Sequence, residues 1–359
     1  ENQVSAQYLN SKAWIKWLNN STIKSMRKQG RIQEGQGGLM CAVEINEVID
    51  PSVQAWDDMS GKELKAELVK EARAEEMTEF KKHQVYVKVP ISQCLAETGA
   101  KPIGTRWVDI NKGDDAKTDY RSRLVAQELR CNSWVDDLFA ATPPLEAKKI
   151  LFSMAVTEGI GYCEGRRDKG LKMDFIDVRR AYFHAKARRR VFVQLPAEDF
   201  EPGMCGLLKK SMYGTRDAAQ NWEIEYAEFM QSIGFKRGLA VPCLFNHERS
   251  NLQVAVHGDD FTVLGDVQAL DWFRIKMAEK FEVKFRGRIG PGKEDEKSIR
   301  LLNRVFQWTP EGIIAEADQR HAELIVKDVG LKSDSKGLTT PGVKLKEVQE
   351  DLLPKEKAT

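Results

Sequence analysis

The sequence predicts a mixed α+β fold in which antiparallel hairpins carry helices on one face. Short runs with period-two alternation, at residues 85–89, 171–178 and 190–195, predict strands. Two pairs of strand-like runs are joined by short turn sequences, around Gly258 and around residues 309–312. These joints indicate antiparallel hairpins, and helical periodicity between the strands completes the α+β pattern.

Capping signals place the helices. Ser60 with Glu63 forms a capping box, which predicts a helix from there to about residue 82. A double proline precedes a helix predicted over 145–158. Asp217 and Asp266 are placed to cap two further helices. A last short helix is predicted over 318–329.

The amino-acid composition limits the functional classes to which this chain can belong. The 56 Lys plus Arg nearly balance the 54 Asp plus Glu, so only a local patch would indicate nucleic-acid binding. Residues 165–190 hold such a patch, with ten Lys or Arg against three Asp. The six scattered cysteines form no Cys-x-x-Cys pair, which disfavours a zinc knuckle or a disulfide framework. Without an apolar span or a signal peptide, we expect an intracellular protein, in a cytoplasmic particle or in the nucleus.

Three aspartates are candidates for metal binding. Asp259 and Asp260 occupy a tight turn between two apolar, alternating runs. Adjacent like charges need compensation by cations, although a plain surface turn is the alternative, since Asp-Asp also occurs at 57–58, 114–115 and 136–137. Asp177 ends another strand. Because strand side chains alternate, Asp174 should face away from Asp177. Three carboxylates from two strands suit two Mg²⁺ ions, with Mn²⁺ as an alternative.

Further motifs surround these carboxylates in a fixed order. Residues 177–183, Asp-Val-Arg-Arg-Ala-Tyr-Phe, resemble the first catalytic motif of retroelement reverse transcriptases, and His-Gly-Asp-Asp at 257–260 resembles their two-aspartate motif. Between them, residues 209–222 resemble a copia-type segment that ends in a tryptophan. Residues 104–108 and 120–126 resemble the opening strands of the family. The similarity runs from about Trp107 to Pro341, and its specificity lies in the ordered set.

The resemblance implies the RNA-directed DNA polymerase region of a copia-type retrotransposon polyprotein, with a right-hand fold. Residues 56–145 would form the fingers, 146–300 an antiparallel-sheet palm, and 301–345 a partial thumb or connection. Residues 1–55 are expected to be a loosely structured lead-in and 346–359 a charged tail. No ribonuclease H, protease or integrase pattern is found, so we expect a polymerase fragment. Its partners would be deoxynucleotides and a primed RNA or DNA template, and no membrane.

The resemblance also implies individual roles. The catalytic and metal-binding residues would be Asp177, Asp259 and Asp260. The incoming nucleotide would contact Lys112, Arg121, Arg123, Ala181 and Tyr182. In that set Ala181 would offer its backbone N–H to the triphosphate, and Tyr182 would be the steric gate against a ribose 2′-hydroxyl. Template or primer would contact Arg216, Gln220 and His257. Lys284 would protonate the pyrophosphate.

Several of these roles have plain alternatives. Tyr182 is also a reasonable core tyrosine, and Lys112 a solvated side chain at a charged hairpin tip. Arg216 and Gln220 are four residues apart, so we expect them to share one helical face that contacts the template or the nucleotide. Phe306, Trp308 and residues 318–325 would belong to the region that grips the primer, whereas Trp222 is expected in the core.

Departures from the family pattern leave rival functions open. His257 replaces an aromatic residue, Gly258 replaces a branched one, and Thr-Arg-Asp at 215–217 replaces Leu-Lys-Gln. Three hypotheses follow: an active reverse transcriptase, a decayed fragment that only binds nucleic acid, and another two-metal enzyme such as a nucleotidyl cyclase. The complete carboxylate set favours the first over the second. The arginine-bearing hairpin and Tyr182 favour it over the third.

Overall fold

The computed structural model describes residues 55–113, 117–128, 140–301, 304–317, 319–332 and 334–335. The expected lead-in, apart from Ala55, and the expected tail lie outside these ranges. None of the helices in the described ranges is long and apolar enough to cross a membrane. The cysteines there, at positions 94, 163, 205 and 243, are free thiols.

Seven helices occur in the described part of the chain. They are α1 (Ala66–Lys82), α2 (Ile91–Thr98), α3 (Leu145–Ala155), α4 (Ala181–His184), α5 (Ala218–Ser232), α6 (Val267–Lys280) and α7 (Gln319–Asp328).

Sixteen strands accompany these helices in the same ranges. They are β1 (Ala55–Trp56), β2 (Glu63–Leu64), β3 (Tyr86–Pro90), β4 (Thr105–Asn111), β5 (Tyr120–Ala126), β6 (Lys172–Val178), β7 (Phe192–Val193), β8 (Met204–Leu208), β9 (Lys236–Arg237), β10 (Leu244–His247), β11 (Leu252–His257), β12 (Asp260–Gly265), β13 (Val283–Ile289), β14 (Ser298–Leu301), β15 (Arg304–Trp308) and β16 (Ile313–Ala317).

A six-stranded sheet forms the centre of the fold, with the strand order β13-β6-β12-β11-β10-β9. Every neighbouring pair in it is antiparallel. Smaller sheets join β14 to β16, β3 with β8 and β7, and β4 with β5. The helices and antiparallel sheets confirm the predicted α+β class.

The central sheet is covered on both faces by apolar side chains. On one face, Ile176 and Phe261 pack with Trp222 of α5 and Phe273 of α6. On the other, Phe175 packs with residues of α3 and of the three-stranded sheet β14–β16. In that second layer the rings of Phe152 and Phe306 stack with their centroids 4.3 Å apart. Helices therefore cover both faces, and the expectation of helices on one face is wrong.

The predicted helix starts are correct at Asp266 and wrong at Ser60. Asp266 caps α6, where its Oδ1 accepts a hydrogen bond from the backbone N–H of Ala269 at 2.9 Å. The capping box does not form, because α1 begins only at Ala66 and Glu63 belongs to β2. Asp57 accepts hydrogen bonds from the backbone N–H groups of Met59 and Ser60, at 2.8 and 2.7 Å. This local turn competes with helix formation at Ser60.

Asp217 occupies the N-cap position of α5 without capping it. Its carboxylate accepts hydrogen bonds instead from Arg189 at 2.9 Å and from the Asn221 side chain at 2.8 Å. The same Arg189 also binds Glu128, in the segment after β5. The carboxylate of Asp217 therefore binds the guanidinium group of Arg189 and not the N–H groups at the start of α5.

Two predicted elements are shorter than expected. The run 190–195 contributes only the two residues of β7 to a sheet, and α3 ends at Ala155, before the predicted position 158. By contrast, the hairpin predicted around 309–312 is present as β15 and β16.

Asp174 is the fully buried ionic centre of the central sheet. It is 0% exposed and accepts two hydrogen bonds from Arg274, at 2.6 and 2.9 Å. Two more come from Arg288, at 2.6 and 2.8 Å. Two bidentate arginines satisfy the four lone pairs that the two oxygens direct outwards. The residue thus joins α6 to β6 and β13.

Replacing Asp174 by alanine should reduce the free energy of unfolding by about 3–5 kcal/mol, because two partly buried guanidinium groups would lose their counter-charge. Urea denaturation measures this change. The control is Asp271→Ala. Asp271 is the second partner of Arg288, and the side chain of Asp271 is 56% exposed. That variant should lose less than about 1 kcal/mol. Equal losses in the two variants would contradict the assigned role.

Candidate active site

Asp177 and Asp260 lie side by side on one face of the central sheet. The register of β6 and β12 pairs these two residues directly. The row continues to Lys284 of β13, opposite Asp177, and to His257 of β11, opposite Asp260. Directly opposed residues of antiparallel strands project from the same face. These four polar residues, called here the carboxylate row, therefore cross four adjacent strands.

The third carboxylate lies in the two-residue turn between β11 and β12. Gly258 has a φ of +64°, which primed hairpin turns require at their first central residue and which glycine adopts without strain. The Val178 N–H donates to the carbonyl of Asp259 at 2.9 Å, and the Trp222 indole N–H donates to that of Gly258 at 2.8 Å. Asp259 is thereby fixed at the end of β6.

The charges of Asp177 and Asp260 raise the proton affinity of Asp259, and the charge of Asp177 raises that of Asp260. Burial raises the pKa of Asp259 above that of an ordinary aspartate, and Asp260 and Asp177 raise it further. Burial likewise raises the pKa of Asp260, while Arg286 opposes that change. Among the described residues, neither Asp177 nor Asp259 forms an ion pair within 4.0 Å. The site therefore concentrates negative charge that protein cations compensate only in part.

Arg286 is a site residue that sequence reasoning missed. Its Nη1 lies 3.1 Å from Asp260 Oδ1. The pairing of β13 with β6 shifts register between Phe285 and Gly287, so Arg286 is the extra residue of a bulge. A bulge redirects a side chain relative to the regular alternation, and no local sequence signal marks it here.

Asp174 faces away from the carboxylate row, as the alternation predicts. Its partners are Arg274 of α6 and Arg288 of β13, whereas Asp177 pairs with Asp260 on the other face. One strand therefore carries a neutralised carboxylate on one side and a carboxylate without an ion pair on the other.

A left-handed turn connects Asp177 to the next motif. Arg180 has a φ of +48°, which is uncommon for a residue other than glycine. Its Nε donates to Oε2 of Glu76 in α1 at 3.1 Å, and Glu76 is buried. Burial raises the pKa of Glu76, and the Arg180 charge counteracts it. This ion pair, which the sequence did not reveal, holds the turn that precedes Ala181 and Tyr182.

Tyr182 packs on Tyr213 and interacts electrostatically with the third carboxylate. Its ring centroid is 4.7 Å from that of Tyr213. Burial raises the pKa of the Tyr182 phenol, and the charge of Asp259 raises it further. Ala181 is buried at the start of α4. Tyr182 is thus electrostatically coupled to Asp259, and Ala181 is the buried residue that precedes it.

The hairpin of β4 and β5 brings three cationic residues towards the site. The guanidinium of Arg123 lies 4.8 Å from the centroid of the Tyr213 ring, and its charge lowers the pKa of Asp259. Burial lowers the pKa of Lys112, as do Arg121 and Arg123, while Asp177 opposes them. Arg121 is exposed and pairs with Asp119 at 3.3 Å. Arg123 and Lys112 are therefore electrostatically coupled to the carboxylates, whereas Arg121 shares the exposed face of β5 with Arg123 but pairs with Asp119.

The comparison with known protein families decides the affiliation. A family model described as reverse transcriptase (RNA-dependent DNA polymerase) matches residues 92–341, well over half of the chain. The chain belongs to the reverse transcriptase family.

The curated relatives of this chain are much longer. The Retrovirus-related Pol polyprotein from transposon TNT 1-94 of Nicotiana tabacum is 23% identical over 284 residues, which cover 75% of this chain and 19% of the relative. Those from transposons RE2 and RE1 of Arabidopsis thaliana are each 23% identical over 190 residues, covering 51% of this chain and 12% of the relatives. The chain thus spans about a fifth or less of each relative, and these matches support a copia-type reverse transcriptase region.

Two expectations about the site residues need correction. α5 begins at Ala218, so Arg216 precedes the helix and does not share a helical face with Gln220. The backbone N–H of Arg216 donates to Glu128 Oε2 at 2.8 Å. Phe306 and Trp308 are only 4% and 6% exposed, so they are core residues and their side chains are not available to a primer.

The basic stretch 165–190 is largely neutralised in the folded chain. Six of its ten cations form ion pairs with acids from other segments. The pairs are Lys172–Asp295, Arg179–Glu282, Arg180–Glu76, Arg188–Glu228, Arg189–Glu128 and Arg190–Glu97. Most of the Lys and Arg excess in this stretch is therefore paired, and it does not form a phosphate-binding patch in which all ten cations are free.

Lys148 is a second residue that sequence reasoning missed. It lies on α3, is 3% exposed, and its Nζ is buried without a hydrogen-bond partner among the described residues. Burial lowers the pKa of Lys148, and the charge of Asp260 opposes that change. In β12, the buried Oγ1 of Thr262 also lacks a partner. Two unsatisfied polar groups thus lie between α3 and the sheet, beside the carboxylate row.

Replacing Lys148 by methionine should increase the free energy of unfolding by about 1–3 kcal/mol, because an unpaired buried cation is removed at nearly constant side-chain length. Chemical denaturation at neutral pH measures the gain. Lys149→Met is the matched control, since Lys149 is the exposed neighbour in the same helix. If Lys148→Met were less stable than the control variant, the cation would have a partner in solution.

Proposed function

We propose that this chain is the polymerase region of a copia-type retrotransposon Pol protein and that it extends a primer by RNA-directed DNA synthesis. The observation that carries the proposal is the in-register pairing of Asp177 with Asp260, with Asp259 in the adjoining turn. Three carboxylates from distant parts of the chain are brought together in this way, on elements that the family match covers.

The carboxylates fit the divalent ions that the family generally uses. Mg²⁺ prefers hard oxygen ligands and few protein contacts, and Asp177 and Asp259 have no competing ion pair among the described residues. Asp260 retains one, with Arg286. When bound, two such ions activate a primer 3′-hydroxyl and stabilise the departing pyrophosphate. Asp177, Asp259 and Asp260 would hold them, with Mn²⁺ as an alternative to Mg²⁺.

The chain's own residues would position the nucleotide. Arg123 and Lys112 would neutralise triphosphate charge, since both already interact electrostatically with the carboxylates. Ala181 would offer its backbone N–H. Tyr182, next to Asp259, would restrict the space at the sugar 2′ position. Arg121 would serve only after releasing Asp119.

Lys284 and His257 extend the carboxylate row at its two ends. Lys284 is exposed and directly opposite Asp177, a position from which it would donate a proton to the leaving pyrophosphate. Burial lowers the pKa of His257, as does the nearby Lys148, so the imidazole would be neutral where it meets the primer. Arg216, which precedes α5, and Gln220, which lies in the first turn of that helix, would contact the template separately.

The right-hand arrangement is part of the proposal. The hairpin of β4 and β5 would act as fingers over the central sheet, which would be the palm. The sheet β14–β16 and helix α7 would lead into a partial thumb. A decayed fragment that binds nucleic acid through residues 165–190 is less well supported, because six cations of that stretch are already paired.

Asp259→Asn should reduce primer extension on an RNA template at least about 100-fold, because charge that acts on the reacting phosphates is lost. The variant should be at least as stable as the parent. The folded-state pKa of Asp259 lies above its unfolded value, so the ionised side chain costs stability at neutral pH. Asp271→Asn, which replaces an exposed aspartate of α6, should extend normally. Equal extension by Asp259→Asn and its parent would refute the proposed function.

Tyr182→Val should increase the incorporation of ribonucleotides relative to deoxynucleotides by about tenfold or more, because the ring that limits space at the 2′ position is removed. Single-nucleotide extension with each substrate measures the ratio. Tyr182→Phe keeps the ring and should keep the discrimination. An unchanged ratio in Tyr182→Val would show that the ring is only a packing residue.

A further inference from the structure

A second group of potential metal ligands lies outside the carboxylate row. Glu79 belongs to the last turn of α1, and His83 is the C-cap residue of that helix. Being four positions apart, they project from the same side of the helix. Glu282 comes from the short connection between α6 and β13. A helix and a connection about 200 residues apart are thus brought together at three side chains.

The three ligand atoms are within reach of one ion. His83 Nε2 lies 3.4 Å from Glu79 Oε2 and 3.9 Å from Glu282 Oε2. All three atoms lie within 4.8 Å of one another. His83 Nε2 is buried and has no hydrogen-bond partner among the described residues. A buried ring nitrogen without a partner is costly, and here it lies beside two carboxylate oxygens.

A protein cation already uses the same two oxygens. Lys82 Nζ lies 2.7 Å from Glu282 Oε2 and 3.3 Å from Glu79 Oε2. The Lys82 side chain is 53% exposed, so it can move into solvent at little cost. Its ammonium group shows that the two carboxylates bind a positive charge, and it also competes with any metal ion for them.

The surrounding charges determine which ion fits. Arg179 lies 3.6 Å from Glu282 Oε1, and Arg180 lies 3.6 Å from Glu79 Oε2. Arg180 has a closer partner in Glu76, at 3.1 Å. These arginines weaken the attraction for a hard cation held by charge alone, such as Mg²⁺. An imidazole ligand favours ions that bind nitrogen well, with Zn²⁺ ahead of Mn²⁺.

We infer that Glu79, His83 and Glu282 form a binding site for a divalent transition-metal ion, with Zn²⁺ preferred, that ties the end of α1 to the start of β13. Two carboxylates and one imidazole supply three protein ligands, and water completes the shell of such an ion. The backbone N–H of Arg179 donates to the carbonyl of Glu282 at 2.8 Å, so the ion would also steady the segment that follows Asp177.

Metal titration of the chelator-treated full chain tests this site, with Zn²⁺ alone as the probe and a chromophoric chelator as the competitor. An Asp259→Asn background removes a carboxylate of the proposed catalytic site, and Cys163→Ser removes the exposed thiol among the described cysteines. Bound Zn²⁺ should raise the thermal unfolding temperature. Co²⁺ in its place should give weak absorption bands without thiolate charge transfer, because the three ligands are nitrogen and oxygen.

Three variants decide the outcome. His83→Gln and Glu282→Gln should each lose one equivalent of Zn²⁺ and the associated thermal shift. Lys82→Ala should bind Zn²⁺ at least fivefold more tightly than the parent, because the internal competitor is removed. A folding defect would not produce that gain. Unchanged stoichiometry in the two glutamine variants, or unchanged or weaker binding in Lys82→Ala, would overturn the inference and leave the proposed polymerase function untouched.

Discussion

The pairing of β6 with β12 is the constraint on which the site depends. Its register places Asp177 opposite Asp260, and the bond from the Val178 N–H to the Asp259 carbonyl extends the same alignment by one residue. A slip of one residue would turn every side chain of β6 to the other face. Asp174 would then not take the place of Asp177 or Asp260 in the carboxylate row, and it would lose the ion pairs with its two arginine partners.

The apolar cores on both faces of the central sheet enforce this register. Ile176 and Phe261 are buried against α5 and α6, and Phe175 is buried against α3. These contacts stabilise the alignment despite the repulsion between Asp177, Asp259 and Asp260. Burial raises the pKa values of Asp259 and Asp260, and the repulsion among the three carboxylates raises them further. The burial of apolar side chains thus stabilises three mutually repelling carboxylates, and the proposed reaction would use that arrangement.

Unsatisfied polar groups mark the places where this chain departs from a simple folded core. Lys148 Nζ and Thr262 Oγ1 lie near the carboxylate row, and His83 Nε2 lies between two glutamates. Most buried polar groups in proteins have partners, so each exception calls for a water molecule, an ion or a functional role. By contrast, the buried carboxylate of Asp174 is fully satisfied and is structural in character.

The sequence by itself determined which three aspartates are the candidate metal ligands. It also determined the α+β class, the hairpin that presents Asp259, and the opposite orientations of Asp174 and Asp177. These features follow from alternation and turn chemistry, which act over a few residues. Only the tertiary structure decided the partners that come from distant segments. Arg286 reaches Asp260 through a bulge, Lys148 arrives on a helix, and Glu76 fixes the turn at Arg180. Local patterns cannot encode such contacts, because they depend on strand register and helix packing across the whole fold.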